Sequence, residues 1–99
     1  MYTMVERRRI NLETLNHTVE RAQSEAFPQM QAADGFIGFY LVTDEKANIN
    51  TAIIVWESKE HSDRYIAASK DWWKALEDLG HKLETCNEGE TTIELQPTK

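Results

Sequence analysis

The chain has 99 residues, of which 40% are hydrophobic and 28% are charged, so we predict one globular domain over residues 1–99 and not a disordered chain. The formal net charge of −6 disfavours nucleic-acid binding, because an acidic surface repels phosphate backbones. No apolar run approaches the roughly 20 residues of a membrane span, and Cys86 is the single cysteine, so we predict no disulfide, no membrane partner and a cytoplasmic location.

The first third of the chain changes from strand-like to helical spacing. Tyr2 to Ile10 alternates loosely and is predicted to be a strand. Asn11 is expected to cap the helix that follows. Proline is poorly tolerated inside a helix, so Pro28 predicts a break near Phe27 and a further turn that ends at Gly35. The apolar stripe of this helix consists of Leu12, Leu15, Val19, Ala22 and Ala26.

The central part of the chain is typical of a β-hairpin. Phe36 to Thr43 and Ile49 to Glu57 are predicted strands, and residues 44–48 between them make a plausible hairpin loop. Both alternating faces of the two strands are largely apolar. One layer of helices can cover only one of these faces.

A second helical region follows the hairpin. Ser58 is expected to cap it, and Gly80 is expected to interrupt it near its end. Its apolar stripe consists of Tyr65, Ala68, Trp72, Leu76, Leu79 and Leu83. The alternation from Glu90 to Leu95 predicts a last strand.

The predicted order is therefore β-α-β-β-α-β, which indicates a ferredoxin-like α+β fold. In this fold both helices pack on one face of a four-stranded antiparallel sheet, and the first strand is central. The other face would leave apolar hairpin residues in water, and such patches normally mark an interface. We therefore expect a two-fold homodimer.

Two segments resemble the antibiotic biosynthesis monooxygenase family. They are residues 33–40, with a glycine-aromatic start to the second strand, and residues 53–60, with a Trp-x-Ser-x-Glu motif that begins at Trp56. The resemblance extends from Asn11 to about Leu83. It implies a dimeric α/β barrel with a cavity between sheet and helices in each subunit. Because the same fold hosts many activities, the resemblance is more specific for fold than for function.

The resemblance also implies classes of chemistry. Some members of the family oxidise anthrones or quinols without metal or flavin, and others bind and cleave haem. The haem-cleaving members carry a histidine at the position where this chain has Ala75. They carry a tryptophan where this chain has Tyr65, and an asparagine where it has Arg7. Quinol-oxidising members often have a histidine where this chain has Tyr65. The departures argue against haem cleavage, and we expect no cofactor.

The run from Glu6 to Arg9 places three arginines on a strand that should be central. Alternation sends Arg7 and Arg9 to one face and Glu6 and Arg8 to the other. We predict that Arg7 stabilises an anionic substrate oxygen, with Arg9 and Asn11 in the substrate-binding site. The alternative is structural: the arginines lie at the strand exit or pair with carboxylates in the dimer interface.

Five aromatic residues could line a flat apolar pocket. Tyr65 and Tyr40 are the candidates for orienting a substrate by hydrogen bonding, and Trp56, Trp72 and Trp73 are the candidates for contacting its rings. The alternative is that all five belong to the core.

The histidines are the remaining candidates for chemistry. His17, His61 and His81 have no metal-ligand spacing, so no metal is expected. We expect surface positions for all three. His61 or His81 is the alternative proton acceptor for a phenolic substrate.

The leading hypothesis is a cofactor-independent monooxygenase that acts on a small aromatic or quinol substrate. Arg7 or Arg9 would stabilise the substrate anion that reduces oxygen. The alternatives are a non-catalytic dimeric module that binds a small ligand or another protein, and a different reaction on the same fold, such as isomerisation or dehalogenation.

Overall fold

A computed structural model describes residues 1–98 and contains one antiparallel sheet. Its strands are β1 (Tyr2–Arg9), β2 (Phe36–Asp44), β3 (Ile49–Trp56) and β4 (Lys82–Glu90), in the spatial order β2-β3-β1-β4. The first strand is therefore central, and the helices occur in the two connections that join β1 to β2 and β3 to β4. The predicted ferredoxin-like α+β fold is confirmed.

The two faces of the sheet have different surroundings. Met4 of β1 pairs with Ile54 of β3, and both side chains lie under the helices, 3% and 1% exposed. The neighbouring pair, Val5 and Ile53, points the other way and is only half-buried. We call the face of Met4 and Ile54 the covered face, and the face of Val5 and Ile53 the outer face.

The connection between β1 and β2 is helical but irregular. It consists of α1 (Leu15–Arg21), a π-helical segment (Ala22–Ala26) and α2 (Phe27–Ala32). The predicted cap was wrong, because α1 begins after Thr14. The Asn11 side chain instead accepts a hydrogen bond from the Glu13 N–H at 3.0 Å.

Pro28 does not break the helix at Phe27. It lies in the first turn of α2, where its missing N–H is not needed. The irregularity lies one turn earlier, in the π-helical segment. Gly35 follows α2 with a φ of 79°, a backbone conformation that glycine adopts without a steric penalty.

The second connection contains two helices, although one was expected. These are α3 (Lys59–Ala68) and α4 (Lys70–Asp78), with Ser69 between them. The predicted cap of α3 is confirmed, because the Ser58 hydroxyl accepts a hydrogen bond from the His61 N–H. Gly80, with a φ of 88°, ends the helical region as expected.

The predicted last strand was wrong. Residues 91–98 form no strand, and Ile93 is 82% exposed. The strand lies earlier, at Lys82–Glu90, and pairs with β1 throughout, with a bulge opposite Arg7 and Arg8. Its side chains are mostly polar and exposed, because it is an edge strand that the helices do not cover. Backbone pairing, and not an apolar pattern, defines it.

The core lies between the covered face and the helices. Its buried residues are Met4, Met30, Ile54, Trp56 and Tyr65. In residues 1–98 no helix is long and apolar enough to cross a membrane.

Candidate functional site

A cavity of about 170 Å³ lies beside this core, between the covered face and the helices. Its walls come from β1, β2, β3, α1, the π-helical segment, α2 and α4, and they are almost entirely apolar. Most of the lining side chains are aliphatic or aromatic, among them Leu15, Ala22, Phe27, Phe39, Ala52, Ile54, Trp72 and Leu76. Leu41 and Val19, both of which are partly exposed, also line the cavity.

The charged residues in the cavity wall are Glu6 and Arg8, and they form an ion pair. Arg8 Nε donates to Glu6 Oε1 at 2.7 Å, and Arg8 Nη2 donates to Glu6 Oε2 at 3.4 Å. Each residue is only 8% exposed. Alternation along β1 places both on the covered face, since they are two residues apart. A buried pair of this kind is tolerated because each charge neutralises the other.

Arg8 has further partners that fix its position. Its Nη1 donates to the His81 backbone oxygen at 2.9 Å and to Glu77 Oε1 at 3.4 Å. Its guanidinium carbon lies 6.0 Å from the centre of the Trp73 ring, at the outer limit of a cation–π contact. A guanidinium has five N–H donors, and one on Nη2 has no hydrogen-bond partner among residues 1–98.

His81 is the other ionisable residue in the cavity wall, and its hydrogen bonds define its tautomer. Nδ1 accepts from the Asn11 backbone N–H at 3.1 Å, so Nδ1 carries no proton. The proton is then on Nε2, which donates to the Thr18 hydroxyl at 2.6 Å. Burial, and secondly the positive charge of Arg8, lowers the pKa of His81 below 6.5. His81 is therefore neutral at pH 7, and both of its ring nitrogens are occupied.

Three aromatic residues, one each from β3, α3 and α4, pack against one another at the cavity. The Trp56 and Tyr65 rings are 5.1 Å apart, and the Tyr65 and Trp73 rings are 6.5 Å apart at nearly a right angle. Trp73 Nε1 donates to the Ser69 hydroxyl at 2.8 Å. The Tyr65 hydroxyl and Trp56 Nε1 are buried without a partner in the part of the chain described. Burial raises the pKa of Tyr65.

Few of the residues that the sequence singled out meet in this cavity. Trp72 and Trp73 line it. Trp56 and Tyr65 lie in the adjoining core, and Asn11 contacts His81 just outside.

The remaining candidates are elsewhere. Arg7, Arg9 and Tyr40 are exposed residues of the outer face, on the opposite side of the sheet from the cavity. Arg9 pairs there with Glu84 at 2.9 Å. The alternation predicted for the arginine run is thus correct, but the face that borders the cavity carries Glu6 and Arg8.

Sequence reasoning also missed His81, which is 4% exposed and not a surface residue. A signal was present: Gly80 ends the helical region, and the residue after such a glycine commonly turns back toward the helix. A Cβ on Gly80 would lie 2.6 Å from Asn11 Nδ2, so this tight approach to the end of β1 requires glycine. No group of three or more metal-binding side chains occurs in residues 1–98.

No protein-family model and no curated protein matches the chain. Solved structures do match. One is the ActVA-Orf6 monooxygenase of Streptomyces coelicolor in complex with nanaomycin D, at 16% identity, with 98% of this chain and 92% of that chain covered and a TM-score of 0.78. Another is SnoaB, a cofactor-independent oxygenase of Streptomyces nogalater, at 20% identity, 98% and 97% coverage and a TM-score of 0.70.

HapK from Hahella chejuensis matches over 100% of both chains, at 11% identity and a TM-score of 0.80. A putative antibiotic biosynthesis monooxygenase from Deinococcus radiodurans also matches over 100% of both chains, at 13% identity and a TM-score of 0.80, which confirms the resemblance to this family. At these identities the shared property is the fold.

Proposed function

We propose that the protein is a cofactor-independent monooxygenase of a small aromatic or quinol substrate, which binds in the cavity between sheet and helices. The observation that carries the proposal is the composition of the cavity wall: it is mostly apolar, its charged residues are one buried ion pair, and its other polar residues are Thr18, Asn50 and His81. Such a wall suits a flat, mostly apolar molecule with a single polar group. Two of the similar structures are oxygenases by name.

Arg8 is the residue we assign to anion stabilisation. Its free N–H on Nη2 and its permanent positive charge suit a phenolate or enolate oxygen. Because Glu6, His81 and Glu77 hold the guanidinium in place, little reorganisation is needed when negative charge develops on the substrate. The sequence had assigned this role to Arg7, which lies on the outer face.

The proposed reaction needs only dissolved dioxygen as oxidant. Loss of the phenolic proton leaves an anion in which a ring carbon that bears hydrogen, ortho or para to the oxygen, donates electrons to dioxygen and bonds to one of its atoms. The O–O bond then breaks. One oxygen atom becomes the second carbonyl of a quinone, and the other leaves as water with the two hydrogens that the substrate loses. The substrate is oxidised by the same electrons that reduce dioxygen.

The test is oxygen uptake with a panel of phenols and hydroquinones. We expect uptake by the wild type and a loss of about 100-fold or more in Arg8→Gln, the range for removing one preorganised donor. Arg64→Gln is the matched control, because Arg64 is an exposed residue of α3 whose side chain is 66% exposed. Uptake that Arg8→Gln leaves intact would refute the assignment, and no uptake with any substrate would refute the activity.

We also propose that the protein is a homodimer that buries its outer face against a second copy. Ile53 lies in the middle of this face, between Val5 of β1 and Tyr40 of β2. Tyr40 is 63% exposed and Val42 is 56% exposed. A contiguous apolar strip on a sheet normally marks an interface, and no helix of residues 1–98 covers it.

The dimer is tested by solution mass. We expect the wild type to have twice the mass of the chain at micromolar concentration, and Ile53→Asp to be monomeric, because a carboxylate at the centre of the strip would be buried unpaired. Glu57→Gln, a change of an exposed residue beyond the end of β3, is the control. A monomeric wild type would contradict the proposal.

The second candidate is a non-catalytic dimeric module that binds a small ligand or another protein. The observation in its favour is that each ionisable group lining the cavity already has a partner: Glu6 pairs with Arg8, and both nitrogens of His81 are bonded. An increase in melting temperature with a ligand that is never turned over would support this module.

A further inference from the structure

The Glu6–Arg8 pair and the size of the cavity together restrict the ligand further. We propose that the cavity takes a single-ring phenol whose hydroxyl donates to Glu6, and that Glu6 accepts the phenolic proton while the free N–H on Arg8 Nη2 binds the phenolate. This deepens the proposed function, on which it rests for the later reaction with oxygen.

The size limit follows from the volume. An apolar cavity of about 150 Å³ is known to hold one benzene molecule, and the cavity here measures about 170 Å³. That leaves room for one ring and small substituents. A fused two-ring ligand would have to displace wall residues such as Ile54 and Trp73, which is costly for close-packed side chains, or extend past the partly exposed Leu41 and Val19 into water.

The acceptor is Glu6, because the other ionisable groups cannot serve. His81 has no free ring nitrogen, and Arg8 is always protonated. Each carboxylate oxygen of Glu6 receives one N–H from Arg8, but a carboxylate oxygen can accept about two hydrogen bonds. Glu6 can therefore receive a phenol hydroxyl without first losing Arg8.

The proton transfer leaves the net charge of the buried site unchanged. Before proton transfer, the carboxylate of Glu6 and the guanidinium of Arg8 cancel. After transfer, Glu6 is neutral and the phenolate carries the negative charge that Arg8 neutralises. At no stage does the cavity hold a net charge, which would be costly to bury. The other ionisable groups near Glu6 are Glu77 of α4 and Cys86 of β4, its partner across the sheet.

The probe for this proposal is 4-nitrophenol, because its ionisation is visible in its absorption spectrum. In the wild type the cavity is neutral, so it should favour the neutral phenol and raise the apparent pKa of the bound probe. Glu6→Gln leaves Arg8 without its main partner, so the bound phenolate should be favoured. A nearby opposite charge lowers a pKa by about 1–3 units. Wild type and Glu6→Gln should thus shift the pKa of the bound probe in opposite directions.

Glu84→Gln is the matched control, since Glu84 pairs with the exposed Arg9 and does not line the cavity; it should behave as the wild type. Nitrobenzene, which lacks the hydroxyl, should bind the wild type about 10-fold or more weakly than 4-nitrophenol. A nitro-substituted naphthol should bind more weakly than 4-nitrophenol, because its second ring does not fit among the buried wall residues. The proposal would be overturned by equal pKa shifts of bound 4-nitrophenol in wild type and Glu6→Gln. Equal affinity of the wild type for the naphthol and for 4-nitrophenol would overturn it as well.

If Glu6→Gln does not fold, the double variant Glu6→Gln/Arg8→Gln avoids a buried unpaired charge. It should lose the preference for 4-nitrophenol over nitrobenzene, and a retained preference would overturn the assignment of Glu6. None of these binding measurements uses oxygen consumption as its readout. Binding with the expected shifts but no uptake with any phenol would therefore refute the monooxygenase and leave the binding site standing.

Discussion

The two faces of the central strand β1 give neighbouring residues of the same type very different surroundings. Arg8 points under the helices, is 8% exposed and forms a buried ion pair with Glu6. Arg7 and Arg9 point to the outer face and are exposed. Residue type alone therefore does not tell which arginine borders the cavity. What matters is which side of the sheet the helices cover.

The largest effect should come from breaking the buried pair. Arg8→Gln leaves Glu6 as a buried unpaired charge, which typically lowers the free energy of unfolding by about 3–5 kcal/mol. Arg7→Gln removes an exposed side chain and should change the free energy of unfolding by no more than about 0.5 kcal/mol. Urea unfolding of both variants tests the comparison. Equal losses would mean that the two faces do not differ as described.

The next effect compares adjacent isoleucines of β3. Ile54 is 1% exposed on the covered face, so Ile54→Ala should cost about 2–5 kcal/mol of unfolding free energy. Ile53 is only half-buried on the outer face of a single chain. Ile53→Ala should cost less and should mainly weaken the proposed dimer, which is measured as the dependence of the melting temperature on protein concentration. A larger loss for Ile53 would contradict the assignment of the core.

A smaller effect is the pH dependence that His81 contributes. Burial and Arg8 lower its pKa in the folded state below the usual 6.5, so on acidification the unfolded chain binds a proton first. Stability should therefore be fully present above pH 6.5 and fall as the pH drops from 6.5 toward the lower folded pKa. His81→Gln should lack this slope in unfolding experiments at several pH values, whereas His17→Gln, at an exposed site on α1, should retain it.

The smallest effect concerns two tyrosine hydroxyls. The Tyr65 hydroxyl is buried without a partner in residues 1–98, and such a group costs about 1–3 kcal/mol. Tyr65→Phe should therefore raise the free energy of unfolding slightly, by up to about 1 kcal/mol. Tyr40→Phe, on the outer face, should leave it unchanged. A clear loss of stability in Tyr65→Phe would show that its hydroxyl has a partner.

Much of the fold could be predicted from the sequence because its signals are local. Alternation defined β1, β2 and β3, and Ser58 marked the start of α3. The last strand could not be found in this way. Lys82–Glu90 is held by backbone pairing with β1, and its side chains carry no apolar pattern. An edge strand whose faces are both in water leaves little trace in composition.

The site was harder to predict because it depends on the long-range packing. The sequence showed that Glu6 and Arg8 share a face, but the side on which the helices lie is a property of the whole chain. Likewise, His81 is buried because the end of α4 returns to the end of β1, where Asn11 bonds to its ring. Trp72 could be predicted to line the cavity because it lies on the apolar stripe of an amphipathic helix, whereas Trp73, which also lines the cavity, lies beside that stripe.

The spatial order of the strands has one consequence for the protein at high concentration. It places β2, a largely apolar strand, at an open edge of the sheet, where one side of its backbone has no pairing partner within residues 1–98. Ile37 and Val42 are exposed there, and the strand carries no proline or charge before Asp44. Exposed apolar edges of this kind template intermolecular β-pairing. Aggregation should therefore begin at β2, and the other edge, β4, is protected by Lys82, Glu84 and Glu88.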